Sequence, residues 1–448
     1  MTETTTRPLR YAVVGTGSRA EMYVRALLTT HADAGSLVAF VDTNPVRMNY
    51  YDDLVESVAA GHAAIPHFGP EAFDEMVQTL RPDGIIVTTP DAIHSDYVVR
   101  GLELGLRVVV EKPLTIDEQR AQAIADAADA SSGSVAMTFN YRYSPRNTVV
   151  KELIASGEIG APTSVHFEWL LDTGHGADYF RRWHRDRANS GGLLVHKSTH
   201  HFDLVNWWLA DAPATVAALG SLRFYGAENA AARGEDRPGR TSRDDPSSPF
   251  SIDLAADPRM KRLFLDAEAE DGYVRDQNVF GTGITIEDTM NLLVGYRGGA
   301  ALTYSLTAYA PWEGYRVAIN GTRGRVELDV VERPHRAKDS AEALDPSAVA
   351  EEAQTDADRE ALRPRSSRIL LQRQWERPRE ITIPEGRGGH GGGDAKLLDD
   401  VFRGDREDVL GHRAGHLDGL RSISIGIAAN RSIASGEFVR IEDLGLRL

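Results

Sequence analysis

The 448-residue sequence contains no cysteine, and this absence excludes several kinds of protein at once. Without thiols there is no disulfide scaffold, no thiolate nucleophile and no cysteine-ligated zinc or iron–sulfur site. Basic residues are outnumbered, since 50 Lys and Arg stand against 66 Asp and Glu and give a formal net charge of -16. Because nucleic-acid backbones are bound through a surplus of basic residues, we expect no nucleic-acid partner.

Long apolar runs are also missing. No run approaches the roughly 20 residues that span a bilayer, and the first residues lack the apolar segment of a signal peptide. The apolar share of 42% and the charged share of 26% are ordinary for a globular protein. We therefore expect a cytoplasmic protein without membrane contact, and a chain of this length indicates two or three domains.

The first part of the chain reads as an alternation of strands and helices. Apolar runs at residues 11–14, 37–41, 84–87, 107–110 and 135–139 are continuous, as in parallel strands that are covered on both faces. One of the intervening helices is expected over residues 116–131, with Thr115 and Glu118 forming a capping box. This rhythm predicts an α/β fold with a doubly wound Rossmann sheet over residues 1–142.

The rhythm changes after Tyr143. Two hairpins, at residues 291–306 and 315–330, predict an α+β domain with a large open, mainly antiparallel sheet over residues 143–448. Insertions are expected near residues 226–280 and 335–368, with 226–250 and the second insertion as mobile surface segments and a short helix over 340–353. A helix near 417–435 is expected to close the chain. The exposed face of an open sheet favours a homodimer or homotetramer.

A glycine-rich turn follows the first predicted strand and opens a helix, which is the context of a dinucleotide-binding motif. Its residues are Gly15, Thr16, Gly17, Ser18 and Arg19. Asp42 ends the second strand, where a carboxylate accepts hydrogen bonds from a ribose 2′-OH and repels a 2′-phosphate, so NAD is expected rather than NADP. Arg47 is a counter-signal, because an Arg near that position can accommodate the phosphate. The alternative is that the glycines only make a tight turn.

Polar residues follow the later strands as well. Thr88, Thr89 and Pro90, with His94, follow one strand, Glu111 and Lys112 follow the next, and Asn140, Tyr141 and Tyr143 follow the last. Ligands of open α/β sheets bind at the carboxyl ends of the strands, so these groups are expected to converge near the nicotinamide. The alternatives are a solvated lysine for Lys112 and aromatic packing at a domain junction for the tyrosines.

Taken together, Gly15-Thr16-Gly17, Thr89-Pro90 with His94, and Glu111-Lys112-Pro113 resemble the Gfo/Idh/MocA family of NAD(P)-dependent enzymes, most of which act on sugars. The resemblance implies a Rossmann domain followed by an α/β domain with an open antiparallel sheet. It also implies that Lys112 lies beside the nicotinamide and the reacting hydroxyl group.

The second domain contains a Gly191-Gly192 pair followed by a predicted helix with His196, His200 and Asp203 on one face. The family pattern is Gly-Gly…Asp-x-x-x-His-x-x-Asp, and His196 stands where the family has its first Asp. The proton relay must therefore differ. We expect His200 to act as general base or acid, with Lys197, His196, Lys112 and Tyr141 assisting. A His-x-x-x-His pair can also bind zinc, but no Glu follows the first His and no metal is expected.

Substrate contacts are expected in three places. The segment 172–185 ends in Arg181, Arg182, Trp183, His184 and Arg185, a basic cluster suited to an anionic group, although a solvated loop is the alternative. Tyr143 and Asp203 are expected to line the cleft. His390 lies in a glycine-rich loop that either closes over the site or is a plain linker.

The expected chemistry begins with removal of hydride from a secondary hydroxyl carbon of a pyranoside, C3 in our interpretation. The longer chain, the His-Lys-x-x-His-His helix from His196 and the glycine-rich loop resemble the family's NAD-dependent glycosidases, including those that act on sulfoquinovosides. We therefore favour redox-neutral glycoside hydrolysis, by oxidation, elimination, water addition and reduction. An ordinary NAD-dependent sugar or polyol dehydrogenase shares the first step and is the main alternative. A catalytically silent NAD-binding sensor is the alternative from another class.

Overall fold

The computed structural model describes residues 7–235, 239–337, 362–384, 392–404 and 406–448. Two expectations lie outside these residues, namely the helix over 340–353 and the position of His390. None of the described helices is long and apolar enough to cross a membrane.

The first sheet is wholly parallel and has the strand order β3-β2-β1-β4-β5-β6. It and its helices comprise β1 (Leu9–Val14), α1 (Ala20–Leu28), β2 (Gly35–Val41), α2 (Pro45–Val58), β3 (His67–Phe68), α3 (Phe73–Leu80), β4 (Gly84–Val87), α4 (His94–Glu103), β5 (Arg107–Val110), α5 (Glu118–Ala130) and β6 (Ser134–Met137). The predicted doubly wound sheet is confirmed, although the two-residue strand β3 was not foreseen.

The register of this sheet brings its carboxyl ends to one edge. Val14 pairs with both Val41 and Val87, Val87 with Val110, and Val110 with Met137. Residues that follow these strands therefore emerge side by side, which is the physical basis for a shared site at this edge.

The second sheet is mixed and mainly antiparallel. In the described residues its strand order is β14-β13-β12-β11-β7-β10-β9-β8-β15, with only β7 and β10 paired in parallel. Its elements are α6 (Pro145–Ala155), β7 (Pro162–Asp172), α7 (Thr173–Arg181), α8 (Arg187–Ser190), α9 (Leu193–His196), α10 (Thr199–Leu209), β8 (Pro213–Ser221), α11 (Ala227–Ala232), α12 (Pro258–Met260), α13 (Glu268–Asp271), β9 (Thr289–Tyr296), β10 (Ala301–Ala310), β11 (Glu313–Gly321), β12 (Gly324–Arg333), β13 (Ser366–Arg373), β14 (Arg379–Ile381), α14 (Gly393–Phe402), α15 (His416–Ser435) and β15 (Val439–Arg440). The predicted α+β architecture is confirmed.

Two predicted helices differ from those observed. Helix α5 begins at Glu118 rather than near Ile116, because the side chain of Asp117 accepts the N–H of Arg120 and caps the helix in place of Thr115. The helix expected from Gly191 is broken into α9 and α10, with Lys197 and Ser198 between them. His196 and His200 therefore lie on different helices, and the predicted common face does not extend through all three residues.

The insertions also differ from expectation. In the described part of 226–250, Ala230 of α11 is buried, and the ring of Phe250 packs edge-on against Phe280 with centroids 5.1 Å apart. The end of the second insertion, from Ser366 onward, belongs to strand β13, which pairs with β12. Apolar burial thus incorporates parts of both segments into the second domain.

Candidate active site

A cavity of about 2000 Å³ opens at the carboxyl edge of the first sheet, between that sheet and the second domain. Most of the side chains that the sequence singled out line it. From the nucleotide end to the second domain they are Gly15, Gly17, Ser18, Arg19, Asp42, Thr88, Thr89, Pro90, His94, Glu111, Lys112, Asn140, Tyr141, Arg182, Trp183, His184, His196, Lys197 and His200. The motifs of both domains therefore converge on one space.

The glycine-rich turn fits a dinucleotide. Gly15 has φ +90°, and a Cβ atom there would lie 2.7 Å from the backbone nitrogen of Thr89, so a larger residue would collide with the neighbouring loop. A Cβ atom on Gly17 would meet nothing within 4 Å, which leaves the backbone open to the cavity. Helix α1 begins at Ala20, whose N–H donates to the Gly17 carbonyl at 3.2 Å, and no side chain caps the helix, so its N-terminus can receive a pyrophosphate.

Asp42 lies at the end of β2 and lines the cavity, as expected. Its Oδ2 accepts the backbone N–H of Thr16 at 2.6 Å and the Thr16 hydroxyl at 2.8 Å, while its Oδ1 accepts the N–H of Asn44 at 2.8 Å. Thr16 itself is fully buried and does not line the cavity, so the predicted contact with the cofactor is not seen. Thr16 instead holds the side chain of Asp42 in place.

At the centre of the cavity, Lys112, His196 and Asp91 form a hydrogen-bonded chain across the two domains. Lys112 Nζ lies 3.4 Å from His196 Nε2, and His196 Nδ1 lies 2.5 Å from Asp91 Oδ2. An ammonium or amine donates to the imidazole, so His196 accepts at Nε2 and carries its proton on Nδ1, toward Asp91. The carboxylate missing from the second-domain motif is thus supplied by the Rossmann domain.

Burial governs the ionisation of this chain. It lowers the pKa of Lys112, although Asp91 and Glu111 oppose the shift. Burial, with the nearby Lys112 charge, places the pKa of His196 well below its ordinary value. Burial raises the pKa of Asp91, and Lys112 opposes that rise. For Lys112 and His196 the shift favours the neutral form, which lets Lys112 accept a proton from a substrate.

Glu111 and His94 hold the loops that carry Lys112. Glu111 Oε1 accepts from Arg19 Nε and from the Tyr23 hydroxyl, each at 2.6 Å. His94 places its two ring nitrogens 2.7 Å from the Pro113 carbonyl and 2.9 Å from the Thr89 carbonyl. Both residues line the cavity, and their hydrogen bonds assign them a positioning role.

Lys197 and Tyr141 form a second polar group beside this chain. Lys197 Nζ donates to the Tyr141 hydroxyl at 3.3 Å and lies 5.0 Å from the centroid of the Trp169 ring. Burial lowers the pKa of Lys197 to about 8. The His200 ring stacks on Tyr141 with centroids 4.3 Å apart and lines the same cavity, so its role as general base stays a prediction.

The wall from the second domain contains groups that sequence reasoning missed. His175 Nδ1 lies 2.7 Å from Glu313 Oε1, and its Nε2 lies 3.2 Å from the Tyr179 hydroxyl. Arg333 Nε donates to Asp172 at 2.6 Å. His175 and Tyr179 belong to the segment 172–185 that the sequence singled out, whereas Glu313 and Arg333 sit at strand ends without any motif. Asp91 directly follows Pro90 and was the nearest signal to be overlooked.

Only part of the predicted basic cluster faces the cavity. Arg182, Trp183 and His184 line it, and Arg182 pairs with Asp178 at 2.8 Å. Arg181 is turned away and donates to the Phe250 carbonyl at 2.7 Å. Arg185 likewise donates to the carbonyls of residues 278 and 282. These two guanidinium groups are therefore directed at backbone carbonyl oxygens and not at an anionic ligand in the cavity.

Two further predicted substrate residues lie away from the cavity. The Tyr143 hydroxyl donates to Asp400 Oδ2 at 2.9 Å, so this side chain packs against α14. Asp203 is buried and accepts two hydrogen bonds from Arg142, at 2.6 and 2.8 Å, because its side chain faces the domain junction. Both are corrections to the expected site, and both residues have structural roles.

The fold and the site together define a two-domain oxidoreductase with an NAD(P)-binding Rossmann domain. A family model described as "Oxidoreductase family, NAD-binding Rossmann fold" matches residues 9–139, and its companion, "Oxidoreductase family, C-terminal alpha/beta domain", matches residues 151–441. The chain therefore belongs to the Gfo/Idh/MocA oxidoreductase family, and the resemblance noted in the sequence is confirmed.

Individual relatives agree with this assignment. The chain is 36% identical to "Putative oxidoreductase YteT" of Bacillus subtilis (strain 168), over 96% of this chain and 97% of that protein. It is 25% identical to the inositol 2-dehydrogenase of Rhizobium meliloti (strain 1021), over 48% of this chain and 59% of that protein. The fold is similar to that of the aldose-aldose oxidoreductase from Caulobacter crescentus, with a TM-score of 0.60, 18% identity and coverage of 97% and 100% of the two chains.

Proposed function

We propose that this protein is an NAD-dependent enzyme that oxidises a secondary hydroxyl group of a carbohydrate. The observation that carries the proposal is the chain Lys112–His196–Asp91, which ends in the cavity shared with the nucleotide motif. The name of the Rhizobium relative, an inositol 2-dehydrogenase, supports a ring hydroxyl as the reacting group.

The residues divide the work between holding the cofactor and moving a proton. The turn at Gly15–Gly17 and the first N–H groups of α1 would hold the pyrophosphate, and Asp42 would accept from a ribose hydroxyl. NAD, when bound, supplies the acceptor for the hydride that leaves the alcohol carbon. The Asp42 carboxylate would repel a 2′-phosphate, and this supports NAD as the cofactor.

Lys112 is the group that takes the hydroxyl proton. A neutral Lys112 donates one N–H to His196 Nε2 and keeps its lone pair for the substrate. The positive charge that then forms on Lys112 is stabilised through His196 by Asp91, whose carboxylate is within 2.5 Å of Nδ1. The pair thus stabilises charge that develops only during proton transfer, which lowers the barrier rather than merely tightening binding.

Redox-neutral glycoside hydrolysis is a second candidate, and one observation favours it. A dehydrogenase needs one proton acceptor, whereas elimination after oxidation at C3 needs another for the C2 proton. Lys197, with a pKa of about 8 and its Nζ 3.3 Å from the Tyr141 hydroxyl, supplies such a group outside the Lys112 chain. Within the predicted basic cluster, Arg182 is the arginine that could contact an anionic glycoside such as a sulfoquinovoside, because Arg181 and Arg185 face away, and Arg333 also lines the cavity.

One assay separates the candidates. The protein is incubated with nitrophenyl glycosides and free sugars, with and without added NAD, while the released aglycone and NADH are followed separately. NADH without aglycone would identify a dehydrogenase, and aglycone without net NADH would identify the glycosidase. Tight NAD binding with neither product from the whole panel would overturn the proposal and favour a silent sensor.

A further inference from the structure

A segment of the second domain packs against the Rossmann domain beside the end of β2 and the start of α2. We call residues 251–273 the clasp. Its apolar side chains are buried in the same core as Tyr23 and Tyr51 of the Rossmann helices, and they are Ile252, Leu254, Met260, Leu263 and Phe264. Arg259 adds a polar anchor, since its Nε lies 2.6 Å from Glu21 Oε2 and its NH2 donates to the Ser18 carbonyl at 3.1 Å.

The clasp contacts Asn44 and Arg47, two residues that come shortly after Asp42 in the chain. Asn44 is fully buried and donates through Nδ2 to the Ala267 carbonyl and to Asp271 Oδ2, each at 3.0 Å. Arg47 donates through Nε to the Leu263 carbonyl at 3.1 Å, and its NH1 lies 2.6 Å from Asp271 Oδ2. Asp271 is therefore bonded to both.

The contact with Asp271 determines whether Arg47 can bind a 2′-phosphate. Arg47 is the residue that sequence reasoning marked as able to accommodate a 2′-phosphate, and it lines the cavity together with Asp42 and Asp271. Its guanidinium is held 2.6 Å from Asp271 but 3.9 Å from Asp42. Burial opposes ionisation of Asp271, yet the hydrogen bond from Asn44 and the charge of Arg47 hold its pKa below the ordinary value. Two carboxylates thus flank one guanidinium.

We infer that Asp271 is a cofactor-specificity residue which the second domain contributes to the nucleotide site. By neutralising Arg47 it withholds the cation that a 2′-phosphate would need, and its own carboxylate repels that phosphate. A ribose 2′-hydroxyl carries no charge and does not suffer this penalty. The inference rests on the proposed NAD dependence and adds a residue from outside the Rossmann domain to the discrimination.

The test is calorimetric titration of the full-length protein with NAD and with NADP. For Asp271→Asn, which keeps an acceptor for Asn44, we expect the ratio of the NADP Kd to the NAD Kd to fall by at least about tenfold, or about 1.4 kcal/mol. Asp266→Asn is the matched control, because Asp266 lies in the same clasp, pairs with Lys261 and does not line the cavity. Its ratio should equal that of the unmodified protein.

Arg47→Ala is a second variant that keeps the inference open to refutation should Asp271→Asn fold poorly. It leaves the Asp271 carboxylate without its counter-charge, so the ratio of the NADP Kd to the NAD Kd should rise. Arg47→Ala combined with Asp271→Asn should lose part of the gain in NADP affinity, because no cation is then released for the phosphate. An unaltered ratio in Asp271→Asn, or an unaltered or lower ratio in Arg47→Ala, would overturn the inference. Failure of the unmodified protein to bind NAD would instead overturn the proposed function.

Discussion

Replacing Asp91 with Asn is the sharpest test of the proton relay Lys112–His196–Asp91, because the substitution removes one charge and little volume. Asp91 is only 2% exposed and lies 2.5 Å from His196 Nδ1. Hydrogen bonds to charged groups contribute about 1.5–3 kcal/mol. If that stabilisation acts in the transition state, its loss lowers kcat/KM by about 10- to 150-fold. The affinity for NAD should stay close to that of the unmodified protein, since the hydrogen bond that is changed joins Asp91 to His196.

The pH dependence adds a signature that simple structural damage would not produce. The Asp91 carboxylate raises the pKa of Lys112. Oxidation requires the neutral amine, so the rate rises with pH through the pKa of Lys112. Without the carboxylate that pKa is lower, and the acidic limb of the kcat/KM profile should therefore move to lower pH even as the maximum rate falls.

The assay is steady-state kinetics over a pH series, with the most reactive carbohydrate of the panel. Asp129→Asn, on the exposed face of α5 and paired with Arg447 at 3.3 Å, is the matched control and should behave as the unmodified protein. A change of less than about threefold in kcat/KM for Asp91→Asn, with an unmoved acidic limb, would refute the relay.

Four other variants extend the account. Lys112→Ala should abolish turnover while leaving the NAD Kd within about threefold, measured by calorimetry. Lys197→Met should stop aglycone release from a nitrophenyl glycoside but spare NADH formation, because its amine, with a pKa of about 8, handles only the second proton. Gly15→Ala should weaken NAD binding by about 5- to 150-fold, since strain at such positions costs about 1–3 kcal/mol. Arg142→Met should lower the melting temperature, because breaking a buried ion pair costs about 3–5 kcal/mol.

Gly15→Ala and Arg142→Met have companion variants as controls, and the two lysine variants have results that would refute their roles. Gly61→Ala has the same type of backbone, with φ +81°, and an open surrounding, so NAD binding should be unaffected; equal losses in both variants would exclude the clash with Thr89. Adding Asp203→Leu to Arg142→Met should recover part of the melting temperature. Turnover by Lys112→Ala, or unchanged aglycone release by Lys197→Met, would remove that lysine from the mechanism.

The sequence predicted those parts of the fold that depend on local patterns. Continuous apolar runs located the parallel strands because strands that are buried on both faces have no polar alternation. The same strands then placed Lys112 and Thr89 at one edge, since parallel strands end on the same side. Strand β3, with two residues, is too short to produce such a pattern.

The errors arise where the direction of a side chain depends on tertiary contacts. Asp91 and His196 are 105 residues apart in the chain, and only the approach of the two domains makes them a pair. Arg181 and Arg182 are adjacent, yet one reaches a backbone carbonyl and the other reaches the cavity. Asp203 was predicted to share a helical face with His196. The helix is broken at Lys197, and Asp203 pairs with Arg142 at the domain junction.

The most direct test of the central claim is the absorbance of NADH after the NAD-loaded protein is mixed with a panel of free sugars and methyl glycosides. The account predicts that at least one carbohydrate reduces the bound NAD, and that Lys112→Ala loses this signal while still holding NAD. Tight NAD binding without reduction by any member of the panel, or equally fast reduction in Lys112→Ala, would contradict it.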